Sequence, residues 1–139
     1  MDGLAYVRAI RDRGENYPPI GAFVKFELDD IELGRVIATG IPGPDHYNQF
    51  GVVHGGFAST LLDLALGHVS VTVLSGEQKG VGTTDLSVKY LRSMYADTGR
   101  VSCEANVVHA GRRIIVAEAH LRAADGKLFA TGQSTCAVL

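Results

Sequence analysis

The segment HGGFASTLLDLALGHVSVTVL, residues 54–74, contains the longest apolar stretch of this 139-residue chain. It carries one formal charge, Asp63. An acidic residue at the centre of a bilayer costs roughly 2.5–3.5 kcal/mol even on lenient insertion scales, so the segment would be a poor membrane anchor. We therefore expect a core helix of a soluble domain, ended by Ser75-Gly76. About 20 helical residues span roughly 30 Å, enough to lie along the width of a six-stranded sheet.

This helix has two different faces when its residues are projected with the helical period. One face is mostly apolar and consists of Phe57, Leu61, Leu64, Ala65, His68 and Thr72. The other face is small and mildly polar and consists of Gly56, Ser59, Thr60, Asp63, Gly67 and Ser70. Surface helices normally carry Lys and Glu on their outer face, and this helix has neither. We predict that a sheet covers the apolar face and that a partner or ligand covers the small one.

Asp63 lies in the middle of this nearly uncharged helix. One interpretation is a surface carboxylate, or one hydrogen-bonded to Ser59 or Thr60. The absence of any other charge favours a functional interpretation instead. Desolvation raises the pKa of a carboxylate, which brings this pKa closer to the value that a general base needs.

The helix begins with His54-Gly55-Gly56, and two glycines in a first turn need a reason because Gly is a poor helix former. A tight junction between loop and helix is one reason. Exposure of backbone N–H groups at the positive end of the helix, where a carbonyl oxygen gaining negative charge could bind, is another. Asn48 precedes this start and can both donate and accept hydrogen bonds, although taken alone it is typical of a turn.

The remaining sequence predicts a single α+β domain over residues 1–139, with residues 1–19 as an N-terminal helical segment. Residues 4–13 have the spacing of a short amphipathic helix, and Pro18-Pro19 ends any helix there. Two strands are predicted over 23–28 and 31–37, around an Asp29-Asp30 turn. After the long helix, four strands joined partly by short hairpin turns are predicted over residues 81–91, 100–108, 113–122 and 128–138.

The composition excludes several classes of protein. Hydrophobic residues make up 46% of the chain and charged residues 20%, so disorder and low-complexity architectures are excluded. Thirteen basic and fifteen acidic residues give a net charge of −2, which argues against nucleic-acid binding. Two cysteines, Cys103 and Cys136, are too few for a disulfide scaffold and predict buried thiols in a reducing cytoplasm. The N-terminus shows no basic region followed by an apolar one, so no signal peptide is expected.

One combination of residues is specific: His46-Tyr-Asn48-x2-Gly51-x2-His54-Gly55-Gly56-x4-Leu61-x-Asp63. It resembles the hotdog-fold acyl-CoA thioesterases of the phenylacetic-acid-degradation, or 4-hydroxybenzoyl-CoA thioesterase-like, superfamily. The strand DLSVKYL, residues 85–91, and the order of the elements from about residue 20 onward fit as well. The resemblance implies an antiparallel six-stranded sheet wrapped around one long central helix, and hydrolysis of an aromatic or fatty acyl-CoA to free acid and CoA without a cofactor or metal.

The resemblance also assigns roles to residues. Gly55 would donate its N–H to the thioester oxygen, Asn48 would hold the carbonyl or the attacking water, and Asp63 would act as general base or nucleophile. A third-strand hydroxyl would assist, which by position is Thr83 rather than Thr84, and His54 would shape the loop or polarise the carbonyl. Candidates for contacts to the CoA phosphates are Arg92, Arg112 and Arg113, and candidates for lining the acyl pocket are Phe50 and Phe57.

The spacing of two of these residues predicts an oligomer. Gly55 and Asp63 are eight residues apart, or about 12 Å along a helix axis, and an Asp side chain is too short to bridge that distance. If both act on one thioester, they come from different chains, and a symmetric homodimer with antiparallel helices would supply two such sites. The homotetramers common in the superfamily are a further expectation.

Three alternatives stay open from the sequence. The same fold could carry an acyl-thioester hydratase or dehydratase, which would pair His54 with Asp63. A non-catalytic acyl-CoA-binding module is the second. A metal site made of His46, His54 and His68 is the third, although their spacing matches no ordinary ligand pattern.

Overall fold

The structure is a computed structural model that describes residues 2–13 and 18–139. These residues form three α-helices and six β-strands. The helices are α1 (Gly3–Asp12), α2 (Gly21–Val24) and α3 (Gly55–Thr72). The strands are β1 (Glu27–Glu32), β2 (Arg35–Gly40), β3 (Val81–Tyr90), β4 (Val101–Ala110), β5 (Ile114–Ala123) and β6 (Leu128–Val138). The predicted N-terminal segment is represented by α1, while its residues 14–17 lie outside the described ranges.

The six strands make one antiparallel sheet in the order β1-β2-β4-β5-β6-β3. Helix α3 packs across one face of this sheet and contacts β2, β3, β4, β5 and β6. The core lies between the two layers and is built from aliphatic side chains of the helix and the inward positions of the strands. This arrangement confirms the expected α+β architecture, with a six-stranded antiparallel sheet around one long helix.

Helix α3 begins and ends close to where its sequence predicts. His54 caps its start, because the His54 Nδ1 accepts a hydrogen bond of 2.8 Å from the Gly56 N–H. The predicted apolar face is buried against the sheet. On the small face one assignment was wrong: Ser70 is fully buried and its hydroxyl donates to the Leu66 carbonyl at 2.8 Å. The other members of that face are half-buried. No helix in the described part of the chain is long and apolar enough to span a membrane.

The first hairpin differs from its prediction. Asp29 and Asp30 lie inside β1 rather than in a turn, and the turn consists of Leu33 and Gly34. Gly34 has a φ of +75°, which only glycine adopts readily, and this fixes the turn at that position. Asp30 is accommodated in the strand because its carboxylate pairs with Arg35 at 2.9 Å. Phe23 and Val24, predicted as the start of the first strand, instead belong to the short helix α2.

The two cysteines lie in the core as predicted. Cys103 in β4 and Cys136 in β6 are both free and fully buried. Burial raises the pKa of the Cys103 thiol to about 12. A buried thiol held in its protonated form is chemically inert, so Cys103 contributes to packing rather than to chemistry.

Helix α1 packs against the end of α3 through a glycine. The Gly3 N–H donates to the Leu74 carbonyl at 3.1 Å, and a Cβ placed on Gly3 would lie 1.8 Å from the Val71 carbonyl oxygen. We expect Gly3→Ala to lower the free energy of unfolding by about 1–3 kcal/mol, because α1 must move away from α3. The denaturant midpoint of the variant measures this effect.

The matched control is Gly67→Ala in the middle of α3. A Cβ at Gly67 would meet no atom within 4 Å, so the same chemical change should stabilise the chain by about 0.5–1 kcal/mol through helix propensity. Equal midpoints for Gly3→Ala and the wild-type protein would contradict the close approach of the two helices.

Candidate active site

The first turn of α3 contains a backbone N–H group, that of Gly55, without a partner among the described residues. The Gly56 N–H is bound by the His54 side chain, and the Phe57 N–H donates to the His54 carbonyl at 3.0 Å. The Gly55 N–H makes no hydrogen bond to any residue of the described ranges. It lies at the positive end of an 18-residue helix, where unpaired N–H groups favour a negatively charged oxygen. This donor is therefore available for a developing oxyanion.

His54 has a visible structural role. Because its Nδ1 accepts the Gly56 N–H, the neutral ring carries its proton on Nε2. The ring is exposed, and the His54 N–H donates to the His46 carbonyl at 2.7 Å. These contacts hold the loop against the helix start, and they leave the Nε2–H as a second donor beside Gly55.

Asn48 organises the loop that precedes α3. Its side-chain oxygen accepts from the Phe50 N–H at 2.9 Å and from the Val52 N–H at 3.4 Å. With the oxygen occupied, the side-chain amide NH₂ is left as a donor, and it makes no hydrogen bond within residues 2–13 and 18–139. Asn48 is thus both the turn residue that its type suggests and a source of unpaired N–H groups.

Asn48, His54, Gly55 and Arg92 line one cavity of about 390 Å³, which we call the Gly55 cavity. Its remaining wall comes from the loop before α3, Ala58 in α3, the end of β3 and the residues after it, and the start of β6. The structure therefore brings together four of the residues singled out in the sequence.

Tyr90 in the wall of the Gly55 cavity was not predicted. Its hydroxyl donates to the Gly55 carbonyl at 3.1 Å and is hydrogen-bonded to the Ser59 hydroxyl. A Cβ on Gly55 would lie 3.2 Å from the Tyr90 ring, so the glycine allows the ring to pack on the helix start. Strand alternation from Leu86 and Val88 places Tyr90 on the inward face of β3, but the sequence does not show that its ring reaches α3.

Asp63 lies about two turns further along α3 and contacts β3. The Thr83 hydroxyl donates to one carboxylate oxygen of Asp63 at 2.9 Å. The alternative partners are engaged elsewhere, because the Ser59 hydroxyl bonds to Tyr90 and the Thr60 hydroxyl donates to the Gly56 carbonyl at 2.7 Å. The Asp63 carboxylate is thus oriented by one strand hydroxyl, and its second oxygen accepts no hydrogen bond from residues 2–13 or 18–139.

A β-bulge selects which threonine reaches Asp63. Thr83 pairs with Cys136 and Asp85 with Thr135, so Thr84 is an extra residue in β3. Regular alternation from Leu86 would turn Thr84 towards the helix, whereas the bulge turns Thr83 there. The Thr84 hydroxyl donates instead to the Thr135 carbonyl at 3.1 Å.

Asp63 and Thr83 line a second cavity of about 230 Å³, which we call the Asp63 cavity. Its other lining residues are Leu64, Gly67, His68, Val71 and Val81. It shares no lining residue with the Gly55 cavity. Within one chain, the free N–H of Gly55 and the carboxylate of Asp63 therefore face different cavities, eight residues or about 12 Å apart along the helix axis.

The arginines proposed for CoA lie at two ends of the sheet. Arg92 follows β3 where Tyr90 pairs with Ala130. Arg113 is at the opposite end, since its carbonyl accepts from the Val138 N–H and Val138 pairs with the start of β3. About nine strand residues, or roughly 30 Å, separate the two ends, so one chain does not bring Arg112 and Arg113 to Arg92.

The two candidate phenylalanines also differ. Phe50 is 81% exposed on the loop before α3. Phe57 is fully buried, packs against the His46 ring and lines neither the Gly55 cavity nor the Asp63 cavity. Phe57 is therefore part of the hydrophobic core of this chain.

The three histidines considered for a metal serve separate purposes. His46 is buried, and its Nδ1 accepts from the Gly43 N–H at 2.9 Å. His54 caps α3, and His68 is hydrogen-bonded to the Leu64 carbonyl further along the helix. The described residues contain no group of three His, Cys, Asp or Glu side chains that could hold a metal ion.

Comparison with known proteins identifies the family. The thioesterase superfamily model matches residues 50–130, which include Gly55, Asp63 and Thr83 but not Asn48. A Saccharolobus solfataricus protein with a provisional esterase name is 29% identical over 123 residues, covering 88% of this chain and 84% of that protein. A Ralstonia eutropha phenylacetic acid degradation-related protein, provisionally named a thioesterase, has the same fold, with a TM-score of 0.85 at 22% identity over 96% of this chain and 99% of that one. A Streptococcus mutans protein bound to acetyl-CoA has a TM-score of 0.74 at 27% identity over 82% of this chain and 88% of that one. The chain belongs to the thioesterase superfamily.

Proposed function

We propose that this protein is an acyl-CoA thioesterase whose site is completed by a second copy of the chain. The observation that carries the proposal is the division of the chemistry between two cavities. One cavity holds an unpaired N–H at a helix start, and the other holds a carboxylate oriented by a hydroxyl. Membership of the thioesterase superfamily and the relative in complex with acetyl-CoA support a CoA thioester as the substrate.

The Gly55 cavity supplies the electrophilic half of the reaction. The Gly55 N–H and the Asn48 amide donate to the thioester oxygen as negative charge develops on it. Both groups are held in place before the reaction, by α3 and by the hydrogen bonds around the Asn48 oxygen. Donors fixed in this way typically contribute a factor of about 10²–10³ each to the rate.

The Asp63 cavity supplies the basic half. Thr83 holds one oxygen of the Asp63 carboxylate, and the other takes a proton from a water molecule that attacks the thioester carbon. Collapse of the tetrahedral intermediate breaks the carbon–sulfur bond, releases the acid and returns the proton to the CoA thiolate. Direct attack by Asp63 would displace the CoA thiolate and give an acyl-enzyme anhydride, which a water molecule then hydrolyses to the same products.

A two-fold arrangement would unite the halves. Strand β3 is an edge strand, and most of its residues are exposed. The small face of α3 is half-buried beside it, and Gly67 on that face has no atom within 4 Å of its Cβ position. Antiparallel contact between two such surfaces would set Asp63 of one chain against Gly55 of the other. It would also bring Arg112 and Arg113 of one chain towards Arg92 of the other.

Release of free CoA thiol from a panel of acyl-CoAs tests the function, and two threonine variants test the site. We expect Thr83→Val to lower kcat by about tenfold, since Asp63 loses the hydrogen bond that orients it. Thr84→Val is the matched control, because the Thr84 hydroxyl donates to the Thr135 carbonyl and not to Asp63, and this variant should change kcat by less than about twofold. Binding of acyl-CoA without thiol release by the wild-type protein would show a binding module rather than an enzyme.

A further inference from the structure

His68 is a polar side chain to which the proposed reaction gives no task. It lies on the apolar face of α3, and only 9% of its surface is exposed. The same side chain lines the Asp63 cavity together with Asp63 and Thr83. A polar group that is nine-tenths buried and faces a cavity beside a candidate catalytic carboxylate needs an explanation.

The hydrogen bonding of His68 fixes what its ring can offer. One ring nitrogen, Nδ1, lies 2.6 Å from the Leu64 carbonyl oxygen, which can only accept, so Nδ1 carries the proton. Burial lowers the pKa of His68 more than this hydrogen bond raises it, which keeps the ring neutral. The second nitrogen, Nε2, is then a hydrogen-bond acceptor.

The acceptor nitrogen of His68 has no partner within the described ranges, yet it is not sealed off. The Phe26 ring lies 5.1 Å from the imidazole and covers one side of it. Among the described residues, the Ser134 hydroxyl is the one side-chain oxygen or nitrogen that is both inaccessible to solvent and without a hydrogen-bond partner. The Nε2 of His68 is therefore accessible, and the Asp63 cavity is the space that its side chain lines.

The rest of the Asp63 cavity suits a short organic group. Apart from its three polar residues, Asp63, His68 and Thr83, its wall is apolar or small and consists of Leu64, Gly67, Val71 and Val81. An apolar cavity of about 150 Å³ in another protein holds benzene, so about 230 Å³ accommodates a group of roughly six to ten non-hydrogen atoms. His68 follows Asp63 by five residues, or about 7.5 Å along the helix axis.

This inference rests on the proposed thioesterase function and concerns its substrate. We propose that the Asp63 cavity receives the far end of the acyl group and that His68 Nε2 accepts a hydrogen bond from a hydroxyl at that end. His68 is then a specificity-determining residue. A plain alkyl end would leave the buried acceptor without a partner, whereas a hydroxyl end would satisfy it. Leaving such a group unpaired lowers the rate for the wrong substrate.

Matched pairs of substrates test this role. Each pair has the same chain length, from four to eight carbons, and differs only in a terminal hydroxyl, as in hexanoyl-CoA and 6-hydroxyhexanoyl-CoA. At the length that reaches His68, we expect the wild-type protein to show a kcat/KM about tenfold higher for the hydroxylated member. His68→Leu should abolish or invert this preference, and His68→Gln, which retains an acceptor, should keep part of it.

The ratio within a pair separates recognition from folding. A purely structural His68 would change both members of a pair equally when replaced, because loss of folded protein cancels in the ratio. An unchanged ratio in His68→Leu, or no preference in the wild-type protein at any length, would overturn the proposal.

The dissociation constants of the same pairs for Asp63→Asn provide a second readout. The hydroxylated member of each pair should bind more tightly to Asp63→Asn. The double variant Asp63→Asn/His68→Leu should lose this difference. If the wild-type protein hydrolyses acyl-CoA without any preference for the hydroxyl, only the proposed role of His68 is contradicted. If it binds the hydroxylated substrates selectively but does not hydrolyse them, the thioesterase function is contradicted and the role of His68 is not.

Discussion

Asp63→Asn and Asp63→Ala are expected to lower kcat for acyl-CoA hydrolysis by about 10²–10⁴ while the protein stays folded. Asparagine keeps the shape of the side chain and can still accept the hydrogen bond from Thr83, but it cannot take a proton from water or form an anhydride. Asp63 is half-buried on the small face of α3 and makes no ion pair within the described ranges, so its removal leaves no unpaired buried charge. Initial rates of thiol release measure the effect, and thermal unfolding verifies the fold.

Asp85→Asn is the matched control for these variants. It makes the same chemical change at an exposed position of β3, two residues from Thr83, and should leave kcat within about twofold of the wild-type value. If Asp63→Asn and Asp63→Ala both retained full activity, Asp63 would not be the catalytic carboxylate.

Mixing two inactive variants is expected to restore activity. A subunit with Asn48→Ala retains Asp63, and a subunit with Asp63→Ala retains Asn48 and Gly55. Their heterodimer would contain one site in which both halves are intact and one in which both are altered. With equal amounts and random pairing, half of the dimers are heterodimers, so about one quarter of the wild-type activity should return.

The controls for this experiment are each variant mixed with itself, which should stay inactive. Two affinity tags of different mass would allow native mass spectrometry to confirm that subunits have exchanged. Confirmed exchange without any recovered activity would mean that Asn48 and Asp63 do not meet across an interface, and the composite site would be abandoned.

The sequence predicted most of the fold because its strongest patterns are local. The apolar run with a single charge predicted α3, and alternation with hairpin signals predicted the four strands of the second half. The first hairpin was misplaced because Asp29-Asp30 resembles a turn, whereas the positive φ of Gly34 and the pairing of Asp30 with Arg35 decide the register. Ser70 was wrongly assigned to the small face because a buried serine can donate its hydroxyl hydrogen bond to a carbonyl of its own helix, here that of Leu66.

The candidate site was predictable in its residues and less so in its contacts. Asn48, His54 and Gly55 precede or begin α3, so their proximity follows from the chain itself. The contact between Thr83 and Asp63 depends on a bulge at Thr84, and the position of Tyr90 depends on how β3 crosses the helix start. Both features arise from strand register, which the period of a single sequence does not specify.

Gly67 has a consequence for attempts to make this protein more heat-resistant. It is a helix-interior glycine with open space around its Cβ position, the kind of site at which replacement by alanine is usually chosen to raise a melting temperature. The same open space forms part of the wall of the Asp63 cavity. An added methyl group would rigidify the helix and occupy room kept for substrate, so heat tolerance and turnover compete at this one position.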